Sequence, residues 1–306
     1  LTIVVGSTNR TATYASGSGS TPLVFQYTIQ AGETDANGIS ILANTFALYS
    51  STIKDATGNY ATLTHSAVSA NTSYKVDTTA STVNSFTLSD TVLKAGDTAV
   101  LYLVFSEAVA SFSSDDDITV ANGTLAAMTS ADNITWAGTF TPSSNTEDAS
   151  NTLSLATSYT DTAGNAGPAE TTANYAVDTL APSVSSFVLS DAALKAGDTA
   201  VLYLVFSEAV ASFSSDDDIT VANGTLAAMT SADNITWAGT FTPSSNTEDA
   251  SNTLSLATSY TDTAGNAGPA ATTANYAVDT LVPTLIETTA ALTFTNDNST
   301  QYTFSS

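Results

Sequence analysis

Between Ile134 and Phe140 two kinds of position alternate: Ile134, Trp136, Gly138 and Phe140 share one side, and Thr135, Ala137 and Thr139 the other. A period of two puts successive side chains on opposite faces of an extended chain, so the segment predicts a strand with one buried face. Leu153 and Leu155 flank Ser154, and Tyr175 and Val177 flank Ala176, with the same signature. The run AVLYLVF at 99–105 is apolar on both sides, as expected of a central strand covered on both faces. Turn-forming Gly, Asn, Asp and Ser separate these runs. The pattern predicts strands near 83–89, 98–105, 117–121, 124–129, 133–141, 151–158 and 172–178. About seven short antiparallel strands in about 100 residues describe an immunoglobulin-like sandwich.

That unit is duplicated. Leu93–Ala169 recurs unchanged as Leu194–Ala270, 101 residues later, and the copies first differ at Glu170 and Ala271. The period exceeds the ~20–50 residues of solenoid repeats and matches an autonomous domain. Residues 1–78 read as a diverged relative lacking roughly its first two strands. They share an acidic loop (AGETDANG at 31–38, NTEDASN at 145–151), a D-x-x-G-N turn (Asp55–Asn59, Asp161–Asn165, Asp262–Asn266) and a terminal x-V-D-T (Lys75–Thr78, Ala176–Thr179, Ala277–Thr280). The expected fold is all-β: tandem immunoglobulin-like antiparallel β-sandwich domains arranged end to end. The expected divisions are an incomplete domain at 1–78, repeats at 79–179 and 180–280, and a remainder at 281–306. The remainder reads either as opening strands of a further domain or, over 283–306, as a donor-strand tail completing the first domain of an identical subunit, which would build a head-to-tail filament.

Charge changes the functional picture. Five Lys and Arg stand against 29 Asp and Glu, a net charge of −24. Nucleic acid is excluded as a direct partner, because phosphate affinity comes from basic side chains; a positively charged ion or surface fits. No apolar run approaches the ~18 residues of a membrane span. There is no cysteine, so neither disulfides nor thiolate-bound metals hold the domains. An acidic surface also suits a salt-loving source, with no specific ion required.

AGDTAVLYLVFSEAV, DITVANGTL, the D-T-A-G-N turn and NYAVDTLAP resemble the bacterial immunoglobulin-like domains tandemly arrayed in giant surface adhesins, including repeats-in-toxin and biofilm-associated adhesins. VGSTNRTATYASGSGS, FQYTIQAGETDANGIS and IKDATGN resemble a sister type from the same arrays. The resemblance covers nearly everything up to about residue 283. It implies an extracellular, cell-surface, non-enzymatic extender whose partners are neighbouring domains of a longer chain, often rigidified by Ca²⁺ between domains. A host or matrix ligand would be held elsewhere.

In sandwiches threaded end to end, the loop before the sixth strand and the end of the seventh meet the loops after the second and sixth strands of the next domain. Candidate Ca²⁺ ligands are therefore Glu33, Asp35, Asp77, Glu107 and Asp161 at the first junction, with Asp115–Asp117 nearby. At the second they are Glu147, Asp148, Asp178, Glu208 and Asp262, with Asp216–Asp218 nearby. Clustered carboxylates repel, and a hard cation with six to eight oxygen ligands relieves this. The alternatives are that D-x-x-G-N is only a strand-connecting turn and S-S-D-D-D only a solvated loop. No EF-hand or β-roll spacing occurs. Catalysis is not expected: His65 is the single histidine, and no G-x-S-x-G is present. Trp136 and Trp237 alternate with Thr and are expected in cores; the contrary reading is a carbohydrate or receptor-binding platform.

Overall fold

A computed structural model describes residues 1–20, 22–289 and 303–305. The chain is nearly all β, and the described residues include two four-residue helical turns, Ser114–Asp117 and Ser215–Asp218. Two compact units divide it: 1–91 with 98–141 and 150–175, and 92–97 with 142–149 and 176–306.

In the second unit, residues 184–279 form a complete sandwich. One sheet runs Val184–Leu189, Ala200–Phe206, Thr236–Pro243, Gly224–Leu226, all antiparallel. A second has Tyr276–Asp279 at its centre, parallel to Ala193–Lys195 and antiparallel to Glu248–Asn252. Short pairings complete the barrel-like wall: Ile219–Thr220 with Ser255–Leu256 and Ala271–Thr272, and Val210–Ala211 with Thr261–Asp262. The inward faces meet in one core, where Leu202, Leu204, Phe241, Leu254 and Tyr260 are fully buried. Each such side chain contributes about 1.5–3 kcal/mol by leaving water. The tyrosine hydroxyls are not orphaned: Tyr260 donates to Pro269 O and Tyr276 to Ala222 O.

In the first unit the same four-stranded sheet recurs as Val83–Leu88, Ala99–Phe105, Thr135–Pro142, Gly123–Leu125. Ala99–Phe105 is central, but only one face is covered. Ala99, Leu101, Leu103 and Phe105 are buried, whereas Tyr102 on the other face is 44% exposed. The apolar run therefore does not mark a doubly covered strand; Val100, Tyr102 and Val104 satisfy β-propensity on a half-open face. Trp136 faces inward and packs edge-on against Phe112 at 4.8 Å. Two other expectations are corrected. Glu147–Asn151 is a strand rather than a loop, started by Asn145 at φ 52°. The acidic 114–117 run is a single helical turn, because Asp117 closes back on the Ser113 amide at 2.8 Å and accepts from Ser158 Oγ.

Residues 1–78 carry a smaller core of Ile3, Val5, Ala12 and Val76. Its sheets are Thr8–Thr11, Thr2–Val5, Ser40–Ile41; Thr13–Ser16 with Val24–Gln26; and Thr34–Asp35 with Val76–Asp77. His65 serves structure there. Its Nε2 accepts from the Thr45 amide at 3.1 Å and its ring stacks edge-on to Phe46. Near the other end, Ile286–Thr289 pairs antiparallel with Thr303–Ser305. Much of the tail read as opening strands or a donor strand, 290–302 and 306, lies outside the described residues. No helix among the described residues is long and apolar enough to cross a membrane.

Ser81 marks a local defect: it is 1% exposed and its hydroxyl has no partner. The position 101 residues on is Pro182, also buried. Ser81→Pro removes an unpaired hydroxyl and restricts the unfolded chain. It is expected to stabilise by about 1–2 kcal/mol, read as a higher denaturation midpoint; an unchanged or lower midpoint contradicts it.

Candidate metal centres

Two triads of carboxylates stand out, Asp77–Glu107–Asp161 within the first unit and Asp178–Glu208–Asp262 within the second. In each, one oxygen from every residue lies within 4.8 Å of the others. Three local structures bring them together.

The first is the x-V-D-T strand end. Tyr175 and Val177 point into the core, so Asp178 faces outward, half-buried. Thr179 then pins the strand: its hydroxyl donates to Ser143 O at 2.6 Å and accepts from the Thr146 amide at 3.0 Å. Thr78 holds Asp77 similarly, donating to Glu33 O at 3.0 Å. The second is the D-x-x-G-N turn. Asp161 Oδ1 accepts from the Ala163 and Asn165 amides, both at 2.9 Å, and Asp262 Oδ1 from the Gly265 and Asn266 amides at 2.7 and 2.9 Å. The turn requires Gly164 and Gly265 at φ 95° and 98°, a region side chains disfavour. The third is the S-E-A-V bend after the long central strand, which presents Glu107 and Glu208, both half-buried.

Electrostatics in the triads is unfavourable as they stand. At an effective dielectric of about 20, two unit charges 4.8 Å apart repel by about 3 kcal/mol before salt screening. Burial, then the charges of Asp77 and Asp161, push the Glu107 carboxyl above its ordinary range. Burial, then Asp262, Asp178 and Glu147, do the same to Glu208. Asp178 is raised by burial, Asp262 and Glu147, against the Leu180 amide. For Asp161 burial pulls upward too, but bonds from the Asn165 side chain and the turn amides outweigh it and hold the carboxyl low.

The remaining candidates are placed differently. Glu33 is buried in an ion pair with Arg10 at 2.5 Å and accepts from Tyr27 Oη and the Gln30 amide at 2.6 and 2.8 Å. Asp35 accepts from the Gly6, Asn37 and Gly38 amides. Both lie outside the first triad, because the chain's one arginine and a local turn take their oxygens. Glu147 acts on the second triad by charge without joining it. Asp148 also stands outside; its counterpart Asp249 accepts from Asn223 Nδ2 at 2.9 Å. Asn165 and Asn266 were not singled out as separate residues by sequence reasoning. Their Nδ2 groups reach Asp161 and Asp262, each at 2.8 Å, and bind the carbonyls of the strand-end residues Asp77 and Asp178. The recurrence of Asn in all three D-x-x-G-N turns was the available signal.

The donor set is all oxygen, which suits a hard divalent cation. Two oxygens on one calcium ion, at about 2.3–2.6 Å each, lie at most about 5 Å apart, so the observed spacing fits.

A family model described as "Bacterial Ig-like domain" matches residues 77–177 and 178–278. The chain belongs to that family. No curated protein matches it in sequence. Among solved structures, this bacterial Ig-like chain is similar to FdeC, a broadly conserved Escherichia coli adhesin: 14% identity, 68% of this chain, 67% of that one, TM-score 0.29. It is also similar to Yersinia pseudotuberculosis InvD (16%, 72% and 64%, 0.27) and to the I9–I11 tandem of titin (6%, 69% and 69%, 0.31). The tandem Ig-like assignment rests on the family match, and Ig-like adhesin-type domains are generally non-enzymatic.

The shifted carboxyls fix a pH response. Glu107, Asp178 and Glu208 bind protons more readily folded than unfolded, so in metal-free buffer stability rises as pH falls from 7 through their raised values. Asp161 works oppositely: its contribution holds above its unfolded pKa and is lost as pH falls through its lowered folded value. The metal-free melting temperature is expected to rise as pH falls from 7 and to fall again once Asp161 and the other lowered carboxyls, such as Asp55 and Asp132, take up protons, with Glu208→Gln flattening the rising limb. A monotonic fall from pH 7 contradicts this.

Proposed function

We propose that this chain is part of the extender of an extracellular bacterial surface protein, in which Ca²⁺ at the two triads stiffens successive Ig-like domains. One observation carries the reading: the same three carboxylates converge twice, 101 residues apart; with repeats bounded at 79–179 and 180–280, each triad would join an Asp from the end of one repeat to a Glu and an Asp of the next. An active site usually occurs once in a chain, whereas a spacer gains from every identical joint. Each repeat would supply Asp77 or Asp178 from its end, then Glu107 with Asp161 or Glu208 with Asp262 from its successor. The cation supplies the positive charge that the joints lack; the chain supplies the orientation, through the Thr pins and the D-x-x-G-N amides.

The reading is tested by small-angle scattering of the chain with Ca²⁺ and then with chelator. The calcium form is expected to be stiffer, with a larger and better-defined maximum dimension. Asp77→Asn and Asp178→Asn together should behave in Ca²⁺ as the wild type does in chelator, with ion affinity at least about 10-fold weaker, or about 1.4 kcal/mol. Identical profiles with and without chelator would remove the stiffening role.

A further inference from the structure

The asparagine of the D-x-x-G-N turn does more than close its own turn, and the three copies form a graded series. In residues 1–78, Asn59 Nδ2 stays at home, donating to Asp55 Oδ2 at 2.8 Å and Thr57 Oγ1 at 2.9 Å. Asn165 keeps the equivalent bond to Asp161 at 2.8 Å, then reaches back to the carbonyls of Asp77 and Thr79 at 3.3 and 3.4 Å. Asn266 is tighter. It is 3% exposed, donates to Asp262 Oδ2 at 2.8 Å and to Asp178 O at 2.9 Å, and its Oδ1 accepts from the Ala95 amide at 2.8 Å. A backbone amide only donates, so the Ala95 contact fixes which end of the Asn266 amide faces which neighbour.

Counting residues 1–78 as the first repeat, 79–179 as the second and 180–280 as the third, Ala95 belongs to the K-A-G-D turn of the second, closed by the Asp97 amide on Lys94 O at 3.1 Å with Gly96 at φ 87°. K-A-G-D recurs at 195–198 but not within 1–78. Residues 1–78 close a turn of the same form at Gln30–Glu33, with the Glu33 amide on Gln30 O at 3.2 Å and Gly32 at φ 83°, but among the described residues its Ala31 amide makes no bond to Asn165, whose bonds are fewer and longer.

We propose that Asn165 and Asn266 are latches between consecutive repeats that act without a cation, and that they are unequal. The Asn266 latch, engaged on both sides of its amide, holds the second and third repeats in register in the absence of metal. The Asn165 latch, held by two long bonds, leaves the first joint compliant. These are positioning residues: they set where the triad carboxylates stand. The inference is separable from calcium binding, because its effects are read in chelator.

The absence of cysteine allows clean spin labelling of the full chain. Thr139→Cys with Thr240→Cys spans the second and third repeats, and Ser51→Cys with Thr139→Cys spans the first and second; all three positions are exposed. In chelator the first-joint distance distribution is expected to be at least twice as wide as the second. Asn266→Ala and Asn266→Asp, which both lose the Nδ2 hydrogens, should widen the second to match, while Asn165→Ala alters the first little.

Ala95→Pro guards against misfolding of the third repeat. Proline suits the second position of a turn with glycine at positive φ, so the variant deletes the donated hydrogen and leaves the turn intact. It should widen the second joint without lowering the melting temperature. Ala196→Pro, at the same turn one repeat on, should leave both distributions unchanged. Equal widths at the two joints in chelator, or a second joint indifferent to both Asn266→Asp and Ala95→Pro, would overturn the proposal.

Discussion

Three carboxylates held within 4.8 Å of one another are the constraint from which the rest of this chain's behaviour follows. With five basic residues among 306, the protein offers them little compensation from its own side chains. The pairing that does occur is spent elsewhere: Arg10 on Glu33, Lys94 on Asp97, Lys195 on Asp198. What remains at each triad is burial and, after it, repulsion, visible as raised carboxyls at Glu107, Asp178 and Glu208. The fold accepts it because the groups are tied down by neutral donors. The Thr179 hydroxyl, the Leu180 amide and the D-x-x-G-N amides fix the geometry without neutralising the charge.

That division of labour explains why the motifs are where they are. A sandwich strand ending in Tyr-Ala-Val-Asp has its aromatic and valine in the core, so the aspartate is turned outward by the period of the strand alone. A turn needing a left-handed glycine at its fourth position leaves its first carboxylate surrounded by amides. Each motif supplies one carboxylate of a triad, and it does so in both triads. The identity of 93–169 and 194–270 means that local chemistry is repeated while its neighbours are not. Asp77 belongs to a segment, 1–78, that differs in sequence from the two copies, whereas Asp178 and the Ala95 amide come from the copy at 79–179.

The sandwich fold and the pairing of x-V-D-T with D-x-x-G-N could be read from the sequence, because strand alternation and turn glycines are local signals. Asp77, Glu107 and Asp161, and their copies, could be placed by topology. Glu33 and Asp35 could not: alignment by acidity alone missed that Arg10, distant in sequence, would claim Glu33. The strand Glu147–Asn151 was hidden because acidic and small residues carry little β signal, and its pairing is imposed by the neighbouring strand. The covered-strand reading of 99–105 failed for a related reason. Apolar character on both sides predicts propensity, and only the packing decides that Tyr102 faces water. Asn165 and Asn266 were legible as turn residues, but their reach to the carbonyls of Asp77 and Asp178, 88 residues away in sequence, is a long-range contact that no local signal carries.

The central claim, that each of the two triads among the described residues is a cation site, is tested most directly by isothermal titration of calcium into exhaustively metal-depleted chain at moderate ionic strength. The account predicts saturable binding with two ions per chain attributable to the triads, one of them lost in Asp161→Asn and the other in Asp262→Asn. Titration without saturable heat, or a stoichiometry indifferent to both substitutions, would contradict it.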